Sequence, residues 1–111
     1  PHMIKNKYGR IINIAARPAL KGMAGTSVYG ASKAGVLNLT QSIAEEVKQF
    51  NININAIIPG TIDTPANRKA MPKAKFSNWV KPESIADVIT FLCSEGAKNI
   101  NGAAIPVYGK S

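Results

Sequence analysis

Tyr29 and Lys33 are the residues whose types and spacing point most directly to chemistry. They are four positions apart, so on a helix they lie on one face, one turn apart. A free phenol titrates near ~10, and a nearby ammonium lowers that pKa because it favours the phenolate. Such a tyrosine can pass a proton to a carbonyl oxygen near neutral pH. The alternative is a packed ring beside a solvated lysine, and the spacing alone does not separate the two.

The elements that must position this pair alternate between strand and helix patterns. Short runs rich in β-branched residues predict buried strands at 10–15, 52–58 and 103–107. Helical apolar spacing predicts a long helix over 28–49 and a shorter helix that begins at Pro82. The order strand, helix, strand, helix, strand predicts an α/β fold with a parallel sheet and crossover helices.

Two features of these elements predict what surrounds them. The long helix carries apolar residues on more than one stripe, so we expect it to have two buried faces. Pro106 interrupts the third strand and cannot donate a ladder hydrogen bond, which favours a position at the sheet edge.

A long connection, residues 59–81, joins the second strand to the second helix. It contains Pro59, Pro65 and Pro72, which prevent a continuous helix, and loops of this length are often functional. Much of the net charge of +8 falls here. A solvated loop face is favoured over a nucleic-acid patch, since no aromatic platform or zinc knuckle accompanies the charge. A third interpretation is attraction of an anionic ligand such as a cofactor phosphate.

Composition predicts one small globular domain without a membrane span. The chain has 111 residues, of which 45% are hydrophobic and 18% charged, and no apolar run approaches the ~20 residues of a spanning helix. A single cysteine, Cys93, fits a reducing cytoplasm, and we expect it to be buried on an apolar helix face. We interpret Pro1-His2-Met3 as a cloning remnant, which leaves 4–111 as the domain and no histidine for catalysis or a metal site.

Three segments in this order and spacing resemble the C-terminal half of a short-chain dehydrogenase/reductase. They are Gly9-Arg10-Ile11-Ile12-Asn13-Ile14, Tyr29-Gly30-Ala31-Ser32-Lys33 and 54–64. The resemblance runs from about Tyr8 to Tyr108. It implies that the three strands are the last strands of a doubly wound, Rossmann-like sheet. It also implies that the N-terminal half, with its Gly-rich phosphate-binding turn, is missing.

The resemblance implies a role for each matching residue, with NAD or NADP as the cofactor. Tyr29 would donate the proton to the substrate, and Lys33 would lower its pKa and contact the cofactor ribose. The residues that match the segment meeting the nicotinamide carboxamide are Pro59, Gly60, Ile62 and Thr64. The alternative for that segment is a strand terminator followed by a helix cap.

Ala16 occupies the position of the family's serine, and its methyl group cannot hydrogen-bond a carbonyl. One interpretation is a degenerate, inactive site, and the other is a subfamily that does without the serine. The loop 63–79 resembles that of dihydropteridine reductases, which also have a small residue there. The substrate is therefore either a small carbonyl compound or a dihydropterin. Met71, Phe76 and Trp79 are candidates for a lid over it, with apolar anchoring of the loop as the alternative.

The partners expected for this chain follow from the missing half. Without the Gly-rich turn we expect the chain alone to bind no cofactor tightly and to be inactive. The first strand would have an open edge, which invites pairing with the missing N-terminal half or with another copy, so we expect a homo-oligomer. A non-catalytic, self-associating α/β module is the alternative function.

Overall fold

The predicted parallel sheet is present. The computed structural model describes residues 1–111. Its strands are β1 (Gly9–Ile14), β2 (Ile52–Pro59) and β3 (Ala104–Val107). They pair in parallel in the order β1-β2-β3, which confirms the predicted α/β class. Pro106 lies in an edge strand, as its missing N–H requires.

The helices occur where helical spacing predicted them, with two additions. They are α1 (His2–Asn6), α2 (Ser27–Val47), α3 (Pro65–Ala70) and α4 (Pro82–Leu92). Short 3-10 turns occupy Arg17–Ala19, Lys48–Phe50, Phe76–Asn78 and Glu95–Ala97. The additions are α1, at the amino end, and α3, within the connection 59–81. None of the helices combines the length and apolar character needed to cross a membrane.

The two longest helices cover opposite faces of the sheet. Asn13 of β1 donates a hydrogen bond to the Thr40 hydroxyl of α2, at 2.9 Å. Its neighbour Ile12 packs against the apolar cluster that contains Ile85 and Leu92 of α4. Because successive strand residues point to opposite faces, α2 and α4 lie on different sides. This is the doubly wound arrangement that the sequence predicted.

The hydrophobic core lies on the α4 side of the sheet. Its buried members are Ile57, Val80, Ile85, Leu92 and Ala97. On the same face of β2, the side chains of Asn53 and Asn55 donate hydrogen bonds to the carbonyls of Lys98 and Ile100. These bonds fix the segment that leads into β3.

The outward face of α2 is not covered by any other part of the chain. Only Gly30, Thr40 and Ala44 are buried in this helix, whereas Val28 is 82% exposed and Leu39 54% exposed. The predicted second buried face is therefore wrong for these residues alone, because no element packs on it.

The predicted burial of Cys93 is wrong, and its thiol is exposed. Cys93 caps the carboxyl end of α4, one position after the buried Leu92. A residue beside a buried one along a helix points about 100° away from it, so Cys93 lies off the core-facing stripe.

Candidate functional site

A cavity of about 500 Å³ opens at the carboxyl end of the sheet. It is lined by residues that follow β1, residues that follow β2, and the first turns of α2. The carboxyl edge of an open parallel sheet is where ligands bind in folds of this type, because the loops after the strands converge there. Its position therefore makes this cavity the candidate site.

Tyr29 and Lys33 both line the cavity, on one face of α2 as predicted. The Lys33 Nζ atom is 5.9 Å from the centroid of the Tyr29 ring. Nζ also donates a hydrogen bond of 3.1 Å to the Ile14 carbonyl at the end of β1. Tyr29 remains 51% exposed, so its phenol is accessible to a ligand.

A close approach at Gly30 holds this end of α2 against the loop after β1. A Cβ atom at Gly30 would lie 3.1 Å from the Pro18 carbonyl oxygen, tighter than most Cβ contacts in proteins. The absence of a side chain lets the turn that contains Pro18 pack directly on the helix. This packing fixes the position of Tyr29 relative to the strand end.

Ala16 lies in the cavity wall, where the resemblance implies a serine. It is buried at 8% exposure, and its methyl group supplies no hydrogen-bond donor. Tyr29, Lys33 and Ala16 therefore line one cavity, whose wall carries a methyl group and no hydroxyl at position 16.

The turn after β2 brings three of the four residues of the predicted carboxamide-binding segment to the same cavity. Pro59, Gly60 and Ile62 line it. A Cβ atom at Gly60 would lie 2.6 Å from the Ser111 Oγ atom and 2.8 Å from the Tyr108 carbonyl oxygen. Position 60 therefore requires glycine, because the chain after β3 packs against the turn.

Thr64 does not line the cavity, unlike the other three. Its hydroxyl accepts a hydrogen bond of 3.2 Å from the Asn67 N–H and so caps α3. The Asn67 side chain donates to the Ile62 carbonyl at 2.7 Å. Asn67 itself lines the cavity, although the sequence did not single it out.

Among the predicted lid residues, only Met71 reaches the cavity. Phe76 and Trp79 instead pack on each other, with ring centroids 4.9 Å apart. The Arg68 guanidinium lies 4.7 Å from the centroid of the Phe76 ring. These two rings therefore anchor the loop outside the cavity, which is the alternative that the sequence left open for them.

An ion pair closes the start of the same loop. Arg68 donates to both carboxylate oxygens of Asp63, at 2.6 and 2.9 Å. This hydrogen bonding lowers the pKa of Asp63 and raises the pKa of Arg68. The pair therefore stays ionised and ties α3 to the strand-end turn.

Arg17 is a residue of the cavity that sequence reasoning missed. Its guanidinium stacks 3.8 Å from the centroid of the Tyr108 ring, and Nη2 donates to the Ser111 carbonyl at 2.9 Å. The available signal was a cation directly after Ala16, at the point where β1 ends.

The residues of the cavity suit a nicotinamide nucleotide better than a metal. An ammonium has three donors, and Lys33 gives one to Ile14, which leaves donors for ribose hydroxyls. The backbone of the turn after β2 borders the same space and can bond a carboxamide. No group of three or more His, Cys, Asp or Glu residues is placed to hold a metal ion.

Comparisons with known proteins extend these observations over nearly the whole chain. A family model described as enoyl-(acyl carrier protein) reductase matches residues 1–109. A 3-oxoacyl-(acyl-carrier-protein) reductase of Thermotoga maritima is 37% identical, and the match covers 98% of this chain and 48% of that protein. The corresponding reductase of Pseudomonas aeruginosa is 39% identical, with 96% of this chain and 47% of that protein covered.

A solved structure gives the same picture of the fold. The crystal structure of acetoin dehydrogenase YohF from Salmonella typhimurium matches with a TM-score of 0.82 and 34% identity. That match covers 98% of this chain and 46% of the other. The chain spans about half the length of the curated relatives it matches.

Proposed function

The chain belongs to the short-chain dehydrogenase/reductase family, and on this premise we propose that, in the full-length protein, its cavity reduces the carbonyl group of a small molecule with NADH or NADPH. The observation that carries the proposal is the meeting of Tyr29, Lys33 and the turn after β2 around one cavity. The bound nicotinamide supplies the hydride, and this chain supplies orientation and the proton.

Tyr29 is the proton donor in this proposal. Its ring is half exposed beside the cavity, so its hydroxyl can reach a carbonyl oxygen held there. Since Ala16 offers no hydrogen bond, the cavity wall at that position leaves the carbonyl oxygen to other donors. General acids of this kind contribute about 10²–10⁴-fold to the rate.

Lys33 supports Tyr29 in two ways. Its ammonium places a positive charge 5.9 Å from the centroid of the Tyr29 ring, beside the negative charge that proton transfer leaves on that side chain. Its bond to the Ile14 carbonyl fixes the side chain, and its remaining donors can hold the cofactor ribose.

The turn after β2 would hold the nicotinamide carboxamide. Pro59, Gly60 and Ile62 border the cavity, and the Ile62 N–H is the free backbone donor among them, because Pro59 has no N–H and the Gly60 N–H bonds the Val107 carbonyl. The Thr64 hydroxyl lies outside the cavity wall, and its part in this proposal is to cap α3, the helix that carries Asn67 to the cavity.

A dihydropterin is the second candidate substrate. The methyl group of Ala16 in the cavity wall favours it, because the dihydropteridine reductases that the loop 63–79 resembles also have a small residue at this position. Both substrate classes would use Tyr29 and Lys33, so variants of these residues do not distinguish the two candidates. Turnover measured with a small carbonyl compound and with a dihydropterin does.

The uncovered face of α2 supports self-association of the full-length protein. Val28 and Leu39 are exposed apolar residues on that helix, and covering them removes apolar surface from water. A non-catalytic, self-associating module would use the same face, and it is the alternative function. The 111 residues alone, without the other half of the family's fold, are expected to be inactive.

The test is cofactor-dependent turnover by the full-length protein and its Tyr29→Phe variant. We expect the variant to lose about 10²–10⁴-fold in kcat while it still binds cofactor. Tyr8→Phe is the matched control, since Tyr8 is also half exposed but lies outside the cavity. Unchanged turnover in Tyr29→Phe would sink the catalytic role, and intact assembly without any turnover would favour the structural module.

A further inference from the structure

Arg17 is held in a fixed position on the wall of the cavity that contains Tyr29 and Lys33. The stack on Tyr108 and the hydrogen bond to the Ser111 carbonyl restrict its side chain. A guanidinium restrained in this way loses little conformational freedom when a ligand binds, because its ordering precedes binding.

The hydrogen-bonding capacity of Arg17 is only partly used. Its Nε atom is shielded from solvent and has no hydrogen-bond partner, although buried donors in proteins are nearly always paired. No aspartate or glutamate side chain pairs with Arg17 or lines the cavity. Arg17 and Lys33 are therefore the two cations of the cavity lining, and no acidic side chain lines it beside them.

Arg10 shows which of these features point to a ligand. It also stacks on a tyrosine, with its guanidinium 4.6 Å from the centroid of the Tyr8 ring, and its Nε atom is also shielded and unpaired. Arg10 donates to two backbone carbonyls, those of Gly9 and Asn51, at the opposite end of β1. The stacked geometry therefore serves structure at Arg10, and only Arg17 combines it with a place in the cavity.

We propose that Arg17 binds a carboxylate on the substrate, so that the cavity prefers carbonyl compounds that also carry a carboxylate group. The charge of the guanidinium attracts a carboxylate, and Nη1, which makes no hydrogen bond within the fold, can donate to it. The inference rests on the proposed function, because it names the substrate class of the same site. Arg17 is then a specificity-determining residue, and Tyr29 remains the proton donor.

The test compares 3-oxobutanoate with its uncharged methyl ester as substrates of the full-length protein. In Arg17→Met we expect KM for 3-oxobutanoate to rise about 10- to 100-fold, in line with hydrogen bonds to charged groups. The kcat for the acid and both constants for the ester should change little. Arg10→Met is the matched control and should leave the ratio between acid and ester unchanged.

Three outcomes would overturn the inference. One is an Arg17→Met variant whose KM for the acid is unchanged. Another is an equal loss for acid and ester, which would mean that Arg17 supports the fold. The third is a fall in kcat with both compounds, which would mean that Arg17 polarises the carbonyl in place of the serine.

Two further measurements keep the result decisive. If Arg17→Met unfolds, Arg17→Lys retains the charge without the fork and should keep part of the preference for the acid. Calorimetric titration of the full-length protein with 3-oxobutanoate reads binding without turnover, and equal affinity in wild type and variant overturns the inference. If wild type reduces neither compound, the titration alone decides the role of Arg17, and the Tyr29→Phe comparison with other carbonyl substrates decides the proposed function.

Discussion

The two faces of the sheet have different roles in this chain. On the α4 face, the chain closes its own core around Ile57, Val80 and Leu92. On the α2 face, the helix carries Tyr29 and Lys33 at its start and exposes its outer side. The α4 helix therefore mainly stabilises the fold, whereas α2 carries the candidate site residues and keeps an uncovered apolar face.

The residue types of the two helices explain the difference. The α4 helix presents a single apolar stripe to the sheet. Its buried side chains, Ile85 and Leu92, are large. The buried positions of α2 are the smaller Gly30, Thr40 and Ala44. Thr40 contacts β1 through Asn13, and Gly30 lets the first turns of α2 pack on Pro18 beside the strand end where the cavity opens.

Leu92→Ala should have the largest effect on stability, because its side chain is 1% exposed in the core of the α4 face. We expect the free energy of unfolding to fall by about 2–5 kcal/mol, the cost of a cavity in a packed core. Leu39→Ala on the outer side of α2 is the matched control and should change it by less than about 0.5 kcal/mol. Denaturant unfolding of both variants measures the contrast, and equal losses would break the comparison between the faces.

Removing an asparagine should also cost more stability on the α4 face than on the α2 face, although the difference should be smaller than for the two leucines. Asn55 donates to the Ile100 carbonyl and accepts from the Ala103 N–H, and it is 1% exposed. Removing it leaves buried backbone groups unpaired, so Asn55→Ala should cost about 1–3 kcal/mol. Asn13→Ala on the α2 face loses one bond to Thr40 and should cost about 0.5–1.5 kcal/mol.

Unfolding in denaturant compares the two asparagine variants under the same conditions. A larger loss in Asn13→Ala than in Asn55→Ala would mean that the α2 face, and not the α4 face, carries the more important polar contacts.

The smallest effect should be a pH dependence in the loop that borders the cavity. Arg68 holds the pKa of Asp63 below its ordinary value, so the ionised form is favoured in the folded state. The stabilisation is fully present above the unfolded pKa of about 4, and it is lost as the pH falls through the folded value. Stability measured from pH 7 to pH 2 should therefore fall slightly more in wild type than in Asp63→Asn.

Asp87→Asn is the control for that titration, because Asp87 lies on α4 and forms no ion pair. The free energy of unfolding of Asp87→Asn should depend on pH in the same way as that of the wild type. A difference between wild type and Asp63→Asn that stays constant across the acid range would remove the ion pair as its cause.

The sequence predicted those parts of the fold and site that local patterns encode. Runs of β-branched residues gave the strands and their order, and the spacing of Tyr29 and Lys33 gave one face of α2. It missed α3, because the prolines in the connection 59–81 break a long helix but permit a short one that begins at Pro65.

The sequence could not place Arg17, Phe76 or Trp79 relative to the cavity. Those positions depend on contacts between residues far apart in the chain, such as the stack of Arg17 on Tyr108. The sequence allows Phe76 and Trp79 either to form a lid or to anchor the loop. Only the folded loop shows that the two rings pack on each other.

The parallel pairing of the strands has a consequence for how the chain is made. Gly9 pairs with Ile52, and Ala56 pairs with Ala104, so no strand finds its partner nearby in sequence. A chain that emerges from the ribosome amino end first would complete β2, the most buried strand, long before β3 exists to cover its second edge. Such distant pairings fold slowly, and β2 is therefore the segment whose aggregation a chaperone would need to prevent during synthesis.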